Sequence, residues 1–312
     1  MNTIALCIPA YNAAWCLPRL LKSALNQAIP FDEILVYNDC STDNTTEIAL
    51  SFGAKVLSGI VNKGCSFGKN ELAKVSKSEW LHFHDADDEL LPNFTTLSHK
   101  WINKQECPDV ILFDYEYRDN YTHNRLGLRK FDRHSLEKDA VKYSIMEQIN
   151  PFCGLYNKRA FLAAGGYDTD SKVLYNEDCA MHISLAINGL SFSCESEISI
   201  INYYIKNSMS QNNAQKCAIA RYHVLKKISA SHGNQYAKEI SDQIWTCISS
   251  LSVFQEWGYI KKALAISECL GYPSSDTGSK LFNSLTKINP FFAVWLREKL
   301  IRLFKPHIRN HG

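Results

Sequence analysis

No stretch of this chain approaches the roughly 20 consecutive apolar residues of a membrane-spanning helix. The first segment, Met1-Asn2-Thr3-Ile4-Ala5-Leu6-Cys7-Ile8-Pro9, has no basic run, and its apolar stretch is too short for a secretory leader. There are 11 cysteines, an odd number, without a single CxxC pair. Cys7 and Cys179 fall inside apolar or helical patterns, where a free thiol behaves as a small hydrophobe. Such usage fits a reducing compartment, and these absences together predict a cytoplasmic protein. Charge of one sign is also missing. With 34 basic against 32 acidic residues the net charge is only +2, so nothing in bulk electrostatics argues for a nucleic-acid partner. What remains is an ordinary soluble composition, 46% hydrophobic and 21% charged over 312 residues, enough for one large domain with an appendage or for two domains.

Against that background one stretch stands out. Trp80-Leu81-His82-Phe83-His84 reads as a short buried strand that runs straight into Asp85-Ala86-Asp87-Asp88-Glu89. Carboxylates packed this closely repel one another and raise the pKa of at least one member unless a cation neutralises them. Hard oxygen ligands suit Mg²⁺ or Mn²⁺ rather than zinc, and Mg²⁺ is usually held by one or two carboxylates together with substrate phosphates. The structural alternative is a solvated acidic turn before a helix.

The rest of the chain supplies a frame for this cluster. Thr3 to Ile8 is a continuous apolar run of the buried-strand type, and Leu17 to Leu25 shows helical spacing. Glu33 to Tyr37 predicts a second strand, and Ser41 or Thr42 is expected to cap a helix reaching about Phe52. Lys55 to Leu57, Ser66 to Val75 and Trp80 to His84 continue the alternation, which implies βαβ units and a parallel sheet. In such sheets ligands bind beyond the carboxyl ends of the strands. Pro9-Ala10-Tyr11-Asn12, Asn38-Asp39 and Asp85-Ala86-Asp87-Asp88 each follow a strand and are expected to converge. The Gly64-Cys65-Ser66-Phe67-Gly68 run, followed by Lys69 and Asn70, suggests close backbone approach to an anionic, nucleotide-like ligand.

Pro108 to Phe113 predicts a fifth strand, and Glu116 to Glu137 carries little signal. Asn150 to Arg159 reads as a loop entering a strand, Gly165-Gly166 as a helix end, and Asn176-Glu177-Asp178 as the start of an amphipathic helix over Cys179 to Asn188. Phe192 to Ile205 is strand-like. From Gln215 onward helical patterns dominate, with breaks expected at Gly258, Gly271-Tyr272-Pro273 and Asn289-Pro290. The expected division is therefore an α/β catalytic domain over 1–212 and a helical region over 213–312.

Taken together, Ile8-Pro9-Ala10-Tyr11-Asn12, Val36 to Asp43, Asn62-Lys63-Gly64 with Gly68-Lys69-Asn70, and Asp85-Ala86-Asp87-Asp88 resemble the successive motifs of family 2 glycosyltransferases. The resemblance covers about residues 1 to 205 and implies a GT-A fold, a Rossmann-like, mostly parallel sheet, with a nucleotide-sugar donor. Glu177-Asp178 looks like the family's later acidic pair, in which the Asp serves as catalytic base. Tyr204 with Ser208-Met209-Ser210 is similar to the segment that closes the domain in bacterial members. Two departures stand against the usual pattern. Asn38 and Cys40 replace the first Asp and the Gly of Asp-Asp-Gly-Ser, and Lys69 replaces an Arg, losing a bidentate grip on phosphate.

By this resemblance the donor site includes Pro9, Ala10, Tyr11, Asn12, Asn38, Asp39, Asn62, Gly64, Lys69, Asp85, Ala86 and Asp87, with Asp39 reading the uracil N3–H of a UDP-sugar. Asp87 and Asp88 would hold Mn²⁺ or Mg²⁺. Asp178, beside Glu177, would act as base for a hydroxyl of a glycan or lipid-linked acceptor in bacterial surface polysaccharide, capsule or lipopolysaccharide synthesis. The alternatives are a metal-dependent sugar nucleotidyltransferase and a non-catalytic nucleotide-sugar or glycan-binding module. The first lacks its Gly-rich cationic loop after strand one, since Pro9-Ala10-Tyr11-Asn12-Ala13-Ala14-Trp15 has neither Gly nor cation.

The last segment has a pattern of its own. Phe292, Leu296, Leu300, Leu303 and Phe304 form a helical stripe, and Arg297, Lys299, Arg302, Lys305 and Arg309 face the single acid Glu298. A basic amphipathic helix with aromatics suggests a peripheral contact with the inner membrane surface through 290–309. Lys299 interrupts the stripe, and the competing expectation is a helix docked on its own domain or on a second copy in a homodimer.

Overall fold

The computed structural model describes residues 2–206 and 208–309, with Met209 and Ser210 by backbone alone. The chain divides into two compact units, one of residues 1–169 and 177–206, the other of 170–176 and 207–312.

The first unit alternates strand and helix: β1 (Ile4–Ala10), α1 (Leu17–Leu25), β2 (Glu33–Asn38), α2 (Thr45–Ser51), β3 (Lys55–Ser58), α3 (Cys65–Val75) and β4 (Trp80–Phe83). It continues with β5 (Glu89–Leu90), α4 (Phe94–Ile102), β6 (Val110–Asp119), β7 (Arg125–Arg129), α5 (Arg133–Lys138), α6 (Ala140–Met146), β8 (Gly154–Asn157), α7 (Lys158–Ala163), α8 (Glu177–Ile187) and β9 (Phe192–Tyr204). Among the described residues these strands form one sheet in the order β3-β2-β1-β4-β8-β6-β9-β5, with β7 paired to the far half of β6. The β3-β2-β1-β4 half is parallel throughout. Beyond it β8 runs antiparallel between β4 and β6, whereas β6 and β9 are parallel to each other. The sheet is thus mostly parallel, as expected. Only β8, β5 and β7 oppose the common direction, because β7 returns by a tight hairpin and β8 and β5 are short inserts.

β1 is buried along almost its whole length because the sheet is covered on both faces, which is why its sequence does not alternate. Leu17, Leu20, Leu21 and Ala24 of α1 fall on one face at helical spacing and are buried. Each fully buried Leu or Ile contributes about 1.5–3 kcal/mol. Phe83, at the end of β4, packs against Tyr156, Phe161 and Tyr167 and so anchors the strand that launches the acidic loop.

One local expectation is corrected. α2 begins at Thr45 rather than after Ser41 or Thr42, because the Asp43 carboxylate accepts the Thr45 N–H and hydroxyl. The region 116–137, which had little sequence signal, holds the end of β6, β7 and most of α5, where half-exposed strands lose apolar contrast. No disulfide joins cysteines among the described residues.

The second unit contains α9 (Met209–Asn212), α10 (Ala214–His232), α11 (Ala237–Val253), α12 (Trp257–Cys269), α13 (Lys280–Ile288) and α14 (Pro290–Phe304). The break expected at Gly258 falls just before α12, at Gln255, which takes a left-handed φ of 57°. Gly258 itself is helical. The break between α13 and α14 is at Asn289, whose side chain accepts the Phe292 N–H and caps the second helix, with Pro290 in its favoured first position. No helix among the described residues is long and apolar enough to cross a membrane.

Candidate active site

Parallel pairing sets the first two loops side by side. Ala10 pairs with Asn38 at the ends of β1 and β2, and the Asp39 N–H donates to the Ala10 carbonyl at 2.8 Å. Pro9 and Ala10 are the last residues of β1, Tyr11 is exposed beyond them, and Asn12 adopts a left-handed φ of 49°. The Asn12 N–H donates to Ser41 Oγ, while its side-chain oxygen accepts from the Thr42 N–H. Asn38 is turned inward: its amide donates to Thr46 Oγ1 and its oxygen accepts the Ser41 N–H. Asn38 thus braces the turn. Cys40 occupies a left-handed φ of 64°, a conformation suited to glycine.

Asp39 is buried beneath the loop before α3. Its two oxygens accept the N–H groups of Lys63 and Gly64 at 2.8 and 2.7 Å. Gly64 needs its φ of 86° to make this turn, and Asn62 sits exposed on the same loop. Gly68 has a different reason: a Cβ there would lie 2.6 Å from Tyr37 Cδ1, so it permits helix-to-strand packing rather than ligand approach. Asn70 is structural too, exchanging two hydrogen bonds of 2.9 Å with the Tyr167 backbone. Beside Asp39 an open cleft of about 340 Å³ is lined in part by Tyr37, Lys63, Phe67 and Glu71.

The acidic loop leaves β4 at its carboxyl end, and its members differ sharply. Asp88 is buried; its Oδ1 accepts the Tyr203 N–H and its Oδ2 the Asn202 amide, each at 2.8 Å. Burial, with Asp87 and Asp85 nearby, raises its pKa against the pull of those two donors. Asp85 and Asp87 are partly exposed, and Ala86 between them rests on the core. Burial and the Asp85 charge push Asp87 up to about 6. Arg19 of α1 donates to the Asp87 carbonyl and to Asn120, and stacks 3.7 Å from the Tyr203 ring centroid.

Lys69 is not a surface lysine. It is 2% exposed, and its Nζ lies 3.5 Å from Asp85 Oδ1 and 3.9 Å from Asp178 Oδ1. Burial alone would lower its pKa, but the charges of Asp85 and Asp178 outweigh it and hold the ammonium above its ordinary range. Asp178 and Glu177 open α8. Asp178 Oδ1 is buried with no hydrogen-bond partner, and its pKa rises to about 7 through burial, opposed by Lys69 and reinforced by Glu177 and Asp85. Glu177 accepts the Cys65 thiol at 2.9 Å, a thiol that burial keeps protonated. His182, one turn on, sits between the Asp178 carbonyl and the Tyr156 hydroxyl, both at 2.8 Å. Burial lowers it to about 4, so it is neutral at pH 7.

Among the described residues no group of three metal-ligating side chains is preassembled. The donor set nevertheless fits a hard divalent cation. Asp85 and Asp87 are both partly exposed on one loop and the Asp85 charge already raises Asp87, a repulsion that a cation relieves, and such a cation takes most remaining ligands from water and substrate phosphates.

The model of the glycosyl transferase family 2 matches residues 5–162, half of the chain. The chain belongs to that family. An uncharacterised glycosyltransferase of Rickettsia typhi is 31% identical over 179 residues, 56% of this chain and 56% of that protein. The chain therefore spans about half the length of the curated relatives it matches. Chondroitin synthase of Pasteurella multocida is 34% identical over 107 residues, 33% of this chain and 11% of the synthase. Among solved structures, S. aureus TarS 1–349 in complex with UDP-GlcNAc superposes with a TM-score of 0.71 at 17% identity, covering 97% of this chain and 92% of that one. A mannosyltransferase from Pyrobaculum calidifontis in complex with GDP-Man and Mn²⁺ gives 0.56 at 14% identity, covering 97% and 81%. The fold of this family 2 chain is accordingly GT-A with a helical carboxyl-terminal region.

Sequence reading of this family 2 protein missed Arg19, Asn202 and Tyr203. Arg19 lies on the polar side of α1, where nothing local favours it over Lys22. Asn202 and Tyr203 reach Asp88 from more than 100 residues away.

Proposed function

We propose that this chain is an inverting glycosyltransferase that moves a sugar from a nucleotide-sugar, a UDP-sugar, to a hydroxyl of a glycan or lipid-linked acceptor in bacterial surface polysaccharide or lipopolysaccharide synthesis. The observation that carries the proposal is Lys69, whose buried ammonium lies between Asp85 of the acidic loop and Asp178 of α8. That pairing ties the donor side of the reaction to a candidate base.

The residues have separable duties. Asp39 keeps unused lone pairs after accepting two backbone donors, since a carboxylate offers about four acceptor sites, so a uracil N3–H can join them once the 62–64 loop shares the site. Pro9, Ala10, Tyr11 and Asn12, beside Asp39 at the end of β1, would contribute the neighbouring side of the donor site, with Asn38 supporting the turn and Asn62 and Gly64 on the loop that covers Asp39. A Mn²⁺ or Mg²⁺ ion held by Asp87 with Asp85 would neutralise the negative charge that grows on the departing diphosphate. Asp88, expected from the sequence to hold the ion with Asp87, is 1% exposed and faces the β9 donors Asn202 and Tyr203, so in this reading it anchors the loop and Asp85 takes its place beside the ion. Asp178 takes the proton from the acceptor hydroxyl, whose own pKa is too high for unaided attack. A carboxylate held near 7 is a stronger base than an ordinary Asp, and about half of it is ionised at pH 7. Single displacement with base and leaving group on opposite sides inverts the anomeric centre. Glu177, fixed by Cys65, raises Asp178 and orients the start of α8.

The test is Asp178→Asn. Transfer should fall by about a thousandfold or more while calorimetric binding of UDP with Mn²⁺ stays within a few fold of wild type. Retained transfer would refute the base assignment. Release of nucleotide from a panel of UDP-, GDP- and dTDP-sugars tests the donor separately, and turnover of GDP-mannose alone would refute the role given to Asp39.

A further inference from the structure

The α14 helix does two things at once. One face packs on its own unit: Ala293 and Val294 are buried, Arg297 lies over the Phe282 ring, and Arg302 donates to the Val253 carbonyl. Glu298 on this face is buried and held by Arg302 and Arg309. Among the described residues the other face is largely open to solvent. Phe292, Leu300, Leu303 and Phe304 are exposed, the last two at 69% and 72%, and Ile288 at the junction with α13 is 82% exposed. Positions 292, 296, 299, 300 and 303 share one helical face by their spacing, and the Phe292 and Trp295 rings stack at 5.8 Å along it.

The charge on this segment selects the occupant. From Ser279 to Arg309 the only acid is Glu298, and it is buried. The exposed lysines Lys280, Lys287, Lys299 and Lys305 stand unopposed by any exposed acid within the segment. A second copy docked on the same face would set Lys299 against Lys299 in a two-fold contact. Lys299 does not spoil the apolar stripe for a lipid surface. Its Nζ lies 5.9 Å from the Trp295 ring, so the stem runs along the aromatic while the ammonium is free to reach a headgroup.

We propose that the outer face of α14, with Ile288, binds an anionic phospholipid surface in the interfacial plane, apolar side chains inserted and lysines on phosphate-bearing headgroups. The full chain is mixed with vesicles of phosphatidylcholine alone or with added phosphatidylglycerol and sedimented at low and high salt. Binding to the phosphatidylglycerol vesicles alone, weakened by salt, is expected. Leu303→Asp with Phe304→Asp should lower the vesicle partition by at least about tenfold, as should Lys299→Glu with Lys305→Glu, both with unchanged melting temperature because these side chains are exposed. Wild-type chain that ignores anionic vesicles overturns the proposal without any variant. A chain that ignores vesicles but runs as a dimer, and becomes monomeric with Leu303→Asp, overturns it in favour of a second copy.

Discussion

In the sheet-bearing unit the residues that sit against expectation are charged and buried, such as Lys69, Asp88 and half-buried Asp178; in the helical unit they are apolar and exposed, such as Leu303, Phe304 and Ile288. Both run counter to ordinary partition, and they do so for opposite chemistry. Among its described residues the helical unit also buries a charge, Glu298, and it shows what a purely structural ion looks like: Arg309 reaches it with hydrogen bonds of 2.9 to 3.2 Å, and Arg302 pairs with it at 2.9 Å. Lys69 has carboxylates at 3.5 and 3.9 Å, beyond good hydrogen-bond length. A buried ion left loosely paired retains free energy that a ligand can use. A tightly paired one holds a fold together.

Substitutions that separate these two kinds of buried charge make the contrast testable. Lys69→Met should lower kcat by about a hundredfold, because Asp85 and Asp178 then lose their shared cation. It should also move the pH profile. In the wild type, Asp178 is the active base when ionised, so kcat/KM rises with pH through about 7 and levels off above it. Removing the ammonium, which lowers that pKa, shifts the rising limb upward by about one pH unit. An unmoved limb would make Lys69 a mere packing residue and erase the contrast with Glu298.

Glu298→Gln should do the reverse. It should lower unfolding free energy in urea by about 1–3 kcal/mol, since two guanidinium groups lose their counter-charge, while transfer to a water-soluble acceptor is unchanged. Loss of activity at constant stability would break the comparison from the other side. The smallest effect is expected at Cys40. With φ at 64° it carries strain that glycine relieves, partly offset by the freer unfolded chain. Cys40→Gly should stabilise the protein by roughly 0.5 kcal/mol, read as a raised urea midpoint at constant slope.

Much of the molecule was written locally. The apolar run of β1, the 3.6-residue spacing of α1 and the Pro, Asn and Asp residues that stop each early strand fixed the parallel half of the sheet and brought three polar loops to one edge, because periodicity and turn chemistry act within a few residues. The acidic loop and the Glu177-Asp178 pair were legible for the same reason. Tertiary structure alone decided which charge meets which. Lys69 finds Asp178, Asn70 clamps Tyr167, and Asp88 is claimed by Asn202 and Tyr203, each across about 100 residues. No local pattern encodes those encounters, since each depends on how β4, α3, α8 and β9 stack. The same limit applied to α14: its sequence gave the stripe and the cations, but only packing showed that Glu298 turns inward and the stripe outward, because a helix with two plausible faces is oriented by the groups that bury its one acid.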